Sequence, residues 1–275
     1  MQLGCSTLLY GGHPLEAALS GIQAAGYKAI ELAAIPGMAD HLPVEIYDSD
    51  TLLAQRKQQI ADYGLAIESI GASTDLLAPE ARARFIRLMQ AGQKLGAPAI
   101  TTGAGGAPND EVSFQTVVAV LSGLAPIAVE TGVKISIKPH VGQAVYNTET
   151  ALRLMQQVDT SVIGLNVDPS HLWRTPDQET PEESIPRLLP YLLTARIRDT
   201  QSREPAIGSP EDQMPGNGAM NLPAIIAAFK QKPDLNYLVL EIVGTQSGYS
   251  VAQIDELVAD CYRKLAPMVE GSSLT

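Results

Sequence analysis

Along the chain, short apolar runs alternate with longer amphipathic stretches, and the change from one to the other falls repeatedly on a glycine. The phrases are Ala-Ala-Gly26-Tyr-Lys-Ala-Ile-Glu31, Asp-Tyr-Gly64-Leu-Ala-Ile-Glu68, Lys-Leu-Gly96-Ala-Pro-Ala-Ile-Thr101 and Glu-Thr-Gly132-Val-Lys-Ile-Ser-Ile-Lys138. Glycine suits the left-handed position just past a helix end. These four lie 38, 32 and 36 residues apart, the length of one strand-and-helix unit rather than of a short solenoid repeat. Helix starts agree: Pro14, Asp50, Pro79-Glu80, Asn109, Thr148 and Asn221 each head an amphipathic run, where they satisfy or dispense with the first free amides. Strands are then predicted near 2–6, 28–32, 65–71, 98–102, 134–139, 162–168, 192–198 and 237–243. Eight strands alternating with eight helices predict a single (β/α)8 barrel over residues 1–275. A doubly wound open sheet would want a Gly-x-Gly-x-x-Gly turn after an early strand. Gly103-Ala-Gly105-Gly106, after the fourth strand, is a poor approach to one.

Two strands break the apolar pattern. On the fifth, Ser136, Lys138 and His140 share one face while Ile135, Ile137 and Pro139 share the other. On the sixth, Asn166 and Asp168 share a face. A polar row on a buried parallel strand is costly unless its members are paired or functional. Barrel active sites form at the C-terminal strand ends, and these ends carry Glu31, Glu68, Lys138, His140, Asp168, His171, Arg196, Arg198 and Glu241. Glu241 is read as facing inward with Tyr237 and Val239, whereas the parity of Glu68 is ambiguous and no role is assigned to it. The long segments 33–49, 169–180 and 200–220 follow strands two, six and seven and are expected to cover the same mouth.

Composition narrows the partners. The chain has 275 residues, 45% of them hydrophobic, a net charge of −11 and a pI near 4.8. That field repels a phosphate backbone, so no nucleic-acid partner is expected. The two cysteines, Cys5 and Cys261, stand at opposite ends and form no zinc spacing, which favours a reducing compartment. The N-terminus lacks a signal-peptide pattern and no apolar run is read as long enough for a membrane span. A cytoplasmic location is expected, with no membrane partner; a homo-oligomer is left open. His13 and His41 are expected on the surface or in loops, and Cys5 in the core.

Gly-Leu-Asn-Val-Asp168-Pro-Ser-His171, Gly216-Asn-Gly218, Glu241 and Glu31 occur in an order and at intervals that resemble the xylose-isomerase-like TIM barrels. That sugar-phosphate isomerase and epimerase group includes tagatose epimerases, hydroxypyruvate isomerases and inosose dehydratases, with AP endonucleases as cousins. The resemblance implies one divalent metal, held by a glutamate on strand five, the Asp-Pro-Ser-His aspartate, a histidine on strand seven and the last glutamate. Two of those positions depart: the strand-five glutamate is replaced by Lys138 and the strand-seven histidine, three residues before Asp199, by Arg196. At about 4 Å and an effective dielectric near 20, each cation would repel a divalent ion by roughly 8 kcal/mol. The family's metal is therefore disfavoured and no cofactor is expected, so that the fixed cations assume part of the metal's electrostatic role.

The expected substrate is a small sugar-like compound, a polyhydroxy carbonyl, and the expected reaction is isomerisation or epimerisation by proton abstraction next to the carbonyl. Glu241 is the candidate base, with His171 or Glu31 assisting, and Lys138 and Arg196 the candidate stabilisers of the enediolate. Asp168 completes the catalytic set; Glu31, His140, Arg198 and Trp173 are candidate substrate-binding residues, Trp173 by stacking. The bland readings are a buried ion pair for Lys138 and Arg196, and hydrogen-bonded filler for each histidine. The alternatives are a keto-sugar dehydratase or lyase, acting through a Lys138 Schiff base, and a non-catalytic sugar-binding barrel.

Overall fold

Local chemistry sets the ends of the elements. In the computed structural model, which describes residues 1–271, the strands are β1 (Gln2–Ser6), β2 (Ala29–Ile35), β3 (Ala39–Asp40), β4 (Ala66–Gly71), β5 (Ala99–Gly103), β6 (Lys134–Lys138), β7 (Ile163–Val167), β8 (Leu192–Ile197) and β9 (Tyr237–Leu240). The barrel helices are α1 (Leu15–Ala25), α3 (Asp50–Asp62), α4 (Pro79–Leu95), α5 (Glu111–Thr131), α6 (Thr148–Met155), α8 (Pro181–Leu188), α9 (Leu222–Phe229) and α10 (Val251–Val269). Two short helices, α2 (Val44–Tyr47) and α7 (Pro169–Trp173), lie in the loops after β2 and β7. Gly26, Gly96 and Gly132 take the left-handed conformation at the ends of α1, α4 and α5, as their spacing predicts. The caps differ slightly from expectation. Ser49, not Asp50, caps α3 by accepting from the Leu52 amide; Asp110, not Asn109, caps α5; and Asn147 caps the helix that begins at Thr148. Ser49 and Asn147 stand one position earlier than expected and Asp110 one later, and each has the extended backbone a cap requires.

Eight strands pair in parallel and close, β1 bonding to both β2 and β9. The ninth strand, β3, was not foreseen; it folds back antiparallel on the end of β2. β6, β7, β8 and β9 end one to three residues earlier than their predicted runs, so Asp168, Arg198 and Glu241 stand just past the ladder, at the barrel mouth. Outward-facing Leu3, Ile30, Ile70, Ile100, Ile135, Ile137, Leu165, Ile197 and Leu240 pack with the helices in one continuous core. One apolar stretch was underestimated: α5 is long and apolar enough, by length and composition, to cross a membrane. Here it lies in the outer ring and buries Phe114, Val117, Leu121, Leu124 and Ala128, so its apolar character fits barrel packing. Cys5 and Cys261 are free, buried thiols, and burial pushes Cys5 well up.

Inside the barrel the pattern reverses. Ser136 bonds Thr194 at 2.8 Å, Asn166 is fully buried with neither amide atom partnered, and Arg196 is the largest fully buried side chain. The interior is therefore polar well below the mouth.

Candidate active site

The polar residues form two layers. In the lower one, Arg196 has no exposed surface and does not line the mouth cavity. Its Nη2 donates to Glu31 Oε1 at 2.5 Å and to Ser69 Oγ at 3.0 Å, its Nη1 donates to Glu68 Oε1 at 3.2 Å, and its Nε lies 3.5 Å from Glu241 Oε2. Arg196 is thus placed to fix carboxylates from below rather than to grip a substrate. Glu68 joins this layer because β2 and β4 slip by one residue: Ile30 pairs with Ile67 but Glu31 with Ser69. Such a bulge re-aims a side chain, which resolves the ambiguous parity and makes Glu68 a residue that the reading of the sequence missed.

The upper layer borders a cavity of about 320 Å³ at the C-terminal strand ends. Lys138 Nζ donates to both oxygens of Glu241, at 2.7 and 2.9 Å, and lies 3.8 Å from Asp168 Oδ2. Asp168 is the N-cap of α7: its Oδ1 accepts from the Ser170 amide at 3.0 Å and from Ser170 Oγ at 2.7 Å. Its Oδ2 accepts from Arg198 Nη2 at 2.7 Å. The same Arg198 donates through Nε to Ser170 Oγ at 2.7 Å and faces His171 Nε2 at 2.9 Å. The Asp-Pro-Ser-His sequence thus builds one cluster: proline begins the short helix, aspartate caps it, and serine and histidine meet Arg198. His140 stacks on His171 with ring centroids 4.0 Å apart. Its Nδ1 lies 2.8 Å from the Val141 carbonyl, an acceptor, so the proton is assigned to Nδ1 and Nε2 keeps its lone pair.

Electrostatics separates these groups. Burial raises Glu31, but Arg196 and Lys138, with the Ser6 and Thr101 hydroxyls, outweigh it and hold the carboxyl at about 2. Burial likewise opposes ionisation of Asp168, and Arg198, with Lys138 and the Ser170 hydroxyl, overcomes it, keeping the carboxyl far below the usual range. For Glu68 burial wins over Arg196 and the pKa rises. Burial is the largest influence on both histidines and lowers them; neighbouring Lys138 and Arg198 add to it. Arg198 faces His171 Nε2, while Arg174 and the Val141 amide face Nδ1; a neutral ring accepts at one nitrogen only, so the tautomer decides which side is bonded.

Lys138, His171, Glu241, Glu31, His140 and Arg198 border the cavity, and Asp168 stands behind Arg198. Trp173 does not border it; its ring is covered by the Arg203 guanidinium, 3.4 Å from the centroid, because α7 turns that side chain away from the mouth. His41, expected at the surface or in a loop, is in a loop but buried, bonded to Thr7 Oγ1 at 2.9 Å. Met38, Arg174, Pro205 and Ile207 bring all three long segments to the cavity wall. Asp199 holds the last segment: it accepts from the Thr200, Gly216 and Met220 amides, and a side chain at Gly218 would collide with its carboxylate. Arg174, Thr101 and Thr102 were missed. Arg174 had a signal, since it lies one helical turn beyond Ser170 and His171.

The residues at the family's metal positions do not fit a divalent ion. Asp168 already accepts from three donors and both Glu241 oxygens accept from Lys138. Among the described residues no three His, Cys, Asp or Glu side chains converge as a ligand set.

A closed eight-stranded parallel barrel with its ionisable residues gathered at the C-terminal mouth is the architecture of a TIM-barrel enzyme. The chain belongs to the xylose isomerase-like TIM barrel family, whose model matches residues 19–264. Similar solved structures include the IolI protein with a bound zinc atom, at 20% identity and TM-score 0.79, with all of both chains covered. D-psicose 3-epimerase with D-tagatose from Clostridium cellulolyticum H10 has 16% identity and TM-score 0.76, with 98% of this chain and 99% of that one covered. The probable 3-DHS dehydratase AsbF from Bacillus anthracis has 18% identity and TM-score 0.76, with 95% and 97% covered. No curated protein matches the chain in sequence.

Proposed function

We propose that the protein is an isomerase or epimerase that moves a proton next to the carbonyl of a small polyhydroxy compound, without the divalent metal its family position implies. The observation that carries this reading is the Lys138–Glu241 ion pair, 2.7 Å long, at the wall of a closed-in cavity in the usual place for barrel catalysis. Glu241 takes the proton from carbon, held in place by Lys138. The ammonium of Lys138 and the guanidinium of Arg198 stabilise the oxygen charge that develops. His140, neutral and with Nε2 free, carries a proton between neighbouring oxygens. Arg196 acts at one remove, by orienting Glu31 and Glu241. A Schiff base would need Lys138 as a free amine, whereas its nitrogen is engaged by both Glu241 oxygens. Dehydration of a keto compound begins with the same proton abstraction, and the likeness to a probable dehydratase keeps it as a second reading. The site is reached from solution without nucleic acid or membrane, and the free cysteines suit a reducing, cytoplasmic setting.

The test is solvent exchange. Chelator-treated protein is incubated with keto-sugars in heavy water, and deuterium is sought at the carbon beside the carbonyl. Incorporation that persists in chelator, together with less than stoichiometric metal by elemental analysis, is the expected result. Exchange that appears only when zinc or manganese is added sinks the metal-free reading. Tight sugar binding without exchange over a broad panel leaves the binding-barrel alternative in its place.

A further inference from the structure

Of the four cations in the two layers, three have a carboxylate at 2.7 Å or less and one does not. Lys138 has Glu241 at 2.7 Å, Arg196 has Glu31 at 2.5 Å and Arg198 has Asp168 at 2.7 Å. Arg174 is 3% exposed and borders the same cavity, yet among the described residues no carboxylate oxygen lies within 4.0 Å of it. Its Nε donates to the Ser170 carbonyl at 3.0 Å, its Nη1 to the Pro205 carbonyl, and its Nη2 faces His171 Nδ1 at 3.3 Å. A guanidinium has five N–H donors, so one on each terminal nitrogen is left over. A buried charge with neutral partners alone is costly, and burial together with the Arg198 charge pushes this one down to about 10. The other wall of the cavity is aliphatic: Leu8, Ile35, Met38, Ile207 and Val243. No Phe, Tyr or Trp borders it to stack on a sugar face.

We propose that the substrate of this site is a small organic acid whose single carboxylate seats on Arg174, with its carbon body along the aliphatic wall. The one cation with no carboxylate oxygen in reach suits a single carboxylate group. A planar guanidinium fork with two spare donors fits the two oxygens of a carboxylate. For the reacting carbonyl this inference rests on the proton-transfer reading above; for the charge it does not.

A matched pair tests it. D-fructose and 2-keto-D-gluconate share a skeleton and differ by a hydroxymethyl group in place of a carboxylate. Binding to the chelator-treated full chain is measured by calorimetry. The acid is expected to bind about tenfold or more tightly, the size of one charge-assisted hydrogen bond. In Arg174→Gln that preference is expected to vanish, and Arg174→Lys is expected to restore part of it. Equal affinity for the pair in the unmodified protein overturns the proposal, as does an acid preference that survives Arg174→Gln. Failure of a wider panel of small keto and hydroxy acids to bind overturns it as well. If Arg174→Gln does not fold, the comparison in the unmodified protein still decides. Acid preference without deuterium exchange removes the proton-transfer reading and keeps this one; exchange on neutral keto-sugars without acid preference does the reverse.

Discussion

Arg196 lies on β8 and Arg198 just past its end, two residues on; both are buried, and their surroundings give them different work. Arg196 lies beneath the cavity among Glu31, Glu68, Ser69 and Glu241 and meets no open space. Arg198, one pleat nearer the mouth, is tied to Asp168, Ser170 and His171 and borders the cavity. The lower layer is a charge network closed off from the cavity, in which Arg196 bonds Glu31, Glu68 and Ser69 while its Nε has no hydrogen-bond partner. The upper layer is equally charged but opens on a space that a ligand can fill. Charge at the end of a barrel strand is therefore not in itself a sign of contact with substrate; depth decides.

The comparison breaks most sharply at Arg196. Replacing it with Leu strips Glu31 and Glu68 of their counter-charge and is expected to cost about 3–5 kcal/mol, read as a lower urea midpoint. A variant as stable as the parent would show the lower layer to be dispensable. Lys138→Met should do the opposite: exchange falls by about 10²–10³-fold, while the urea midpoint moves little. Glu241 keeps Arg196 Nε at 3.5 Å and Arg198 Nη1 at 3.9 Å, so it is not left alone. A stability loss as large as that of Arg196→Leu, with exchange intact, would move Lys138 into the structural layer.

A pH series sharpens the contrast. His140 and His171 are held below the ordinary histidine value, so the unfolded chain takes up protons first as pH falls. Their full stability is present above about pH 6.5 and drains away below it, by at most about 1.4 kcal/mol per pH unit for each. Glu68, shifted upward, works in the other sense and gains stability on protonation. Glu31 and Asp168, shifted downward, lose theirs below the ordinary carboxylate range. Urea midpoints at about pH 7.5 and about pH 5.5 are expected to fall with acid, and the fall to flatten in a His140→Gln, His171→Gln double variant. An unchanged slope would place both rings outside the desolvated cluster. The smallest effect is expected at Trp173, which packs under Arg203 rather than at the cavity. Trp173→Phe should lower stability by about 0.5–1 kcal/mol and leave ligand affinity unchanged, as calorimetry would show; a loss of affinity would return it to the site.

Much of this was legible in order and little of it in depth. The glycine-closed helices and the apolar runs gave eight strands in parallel because both signals are local, set by backbone conformation and by the period of buried side chains. The motif from Asp168 to His171 was legible as a contiguous pattern, but the short helix that its aspartate caps was not read from it. Glu68 was opaque, because its direction depends on a slip between two strands that lies in neither sequence alone. The role of Arg196 was misjudged for a related reason: parity places a side chain inside the barrel, but not at which level.

The sequence by itself determined the barrel and the family, and it set Lys138 and Arg196 where the resemblance implies metal ligands. Tertiary structure alone decided which charges neutralise one another and which face the cavity, because ion pairing depends on distances between strands far apart in the chain. It also left Arg174 with no carboxylate in reach among the described residues, and no pattern along the chain records that, since an unmatched charge is defined by everything that surrounds it.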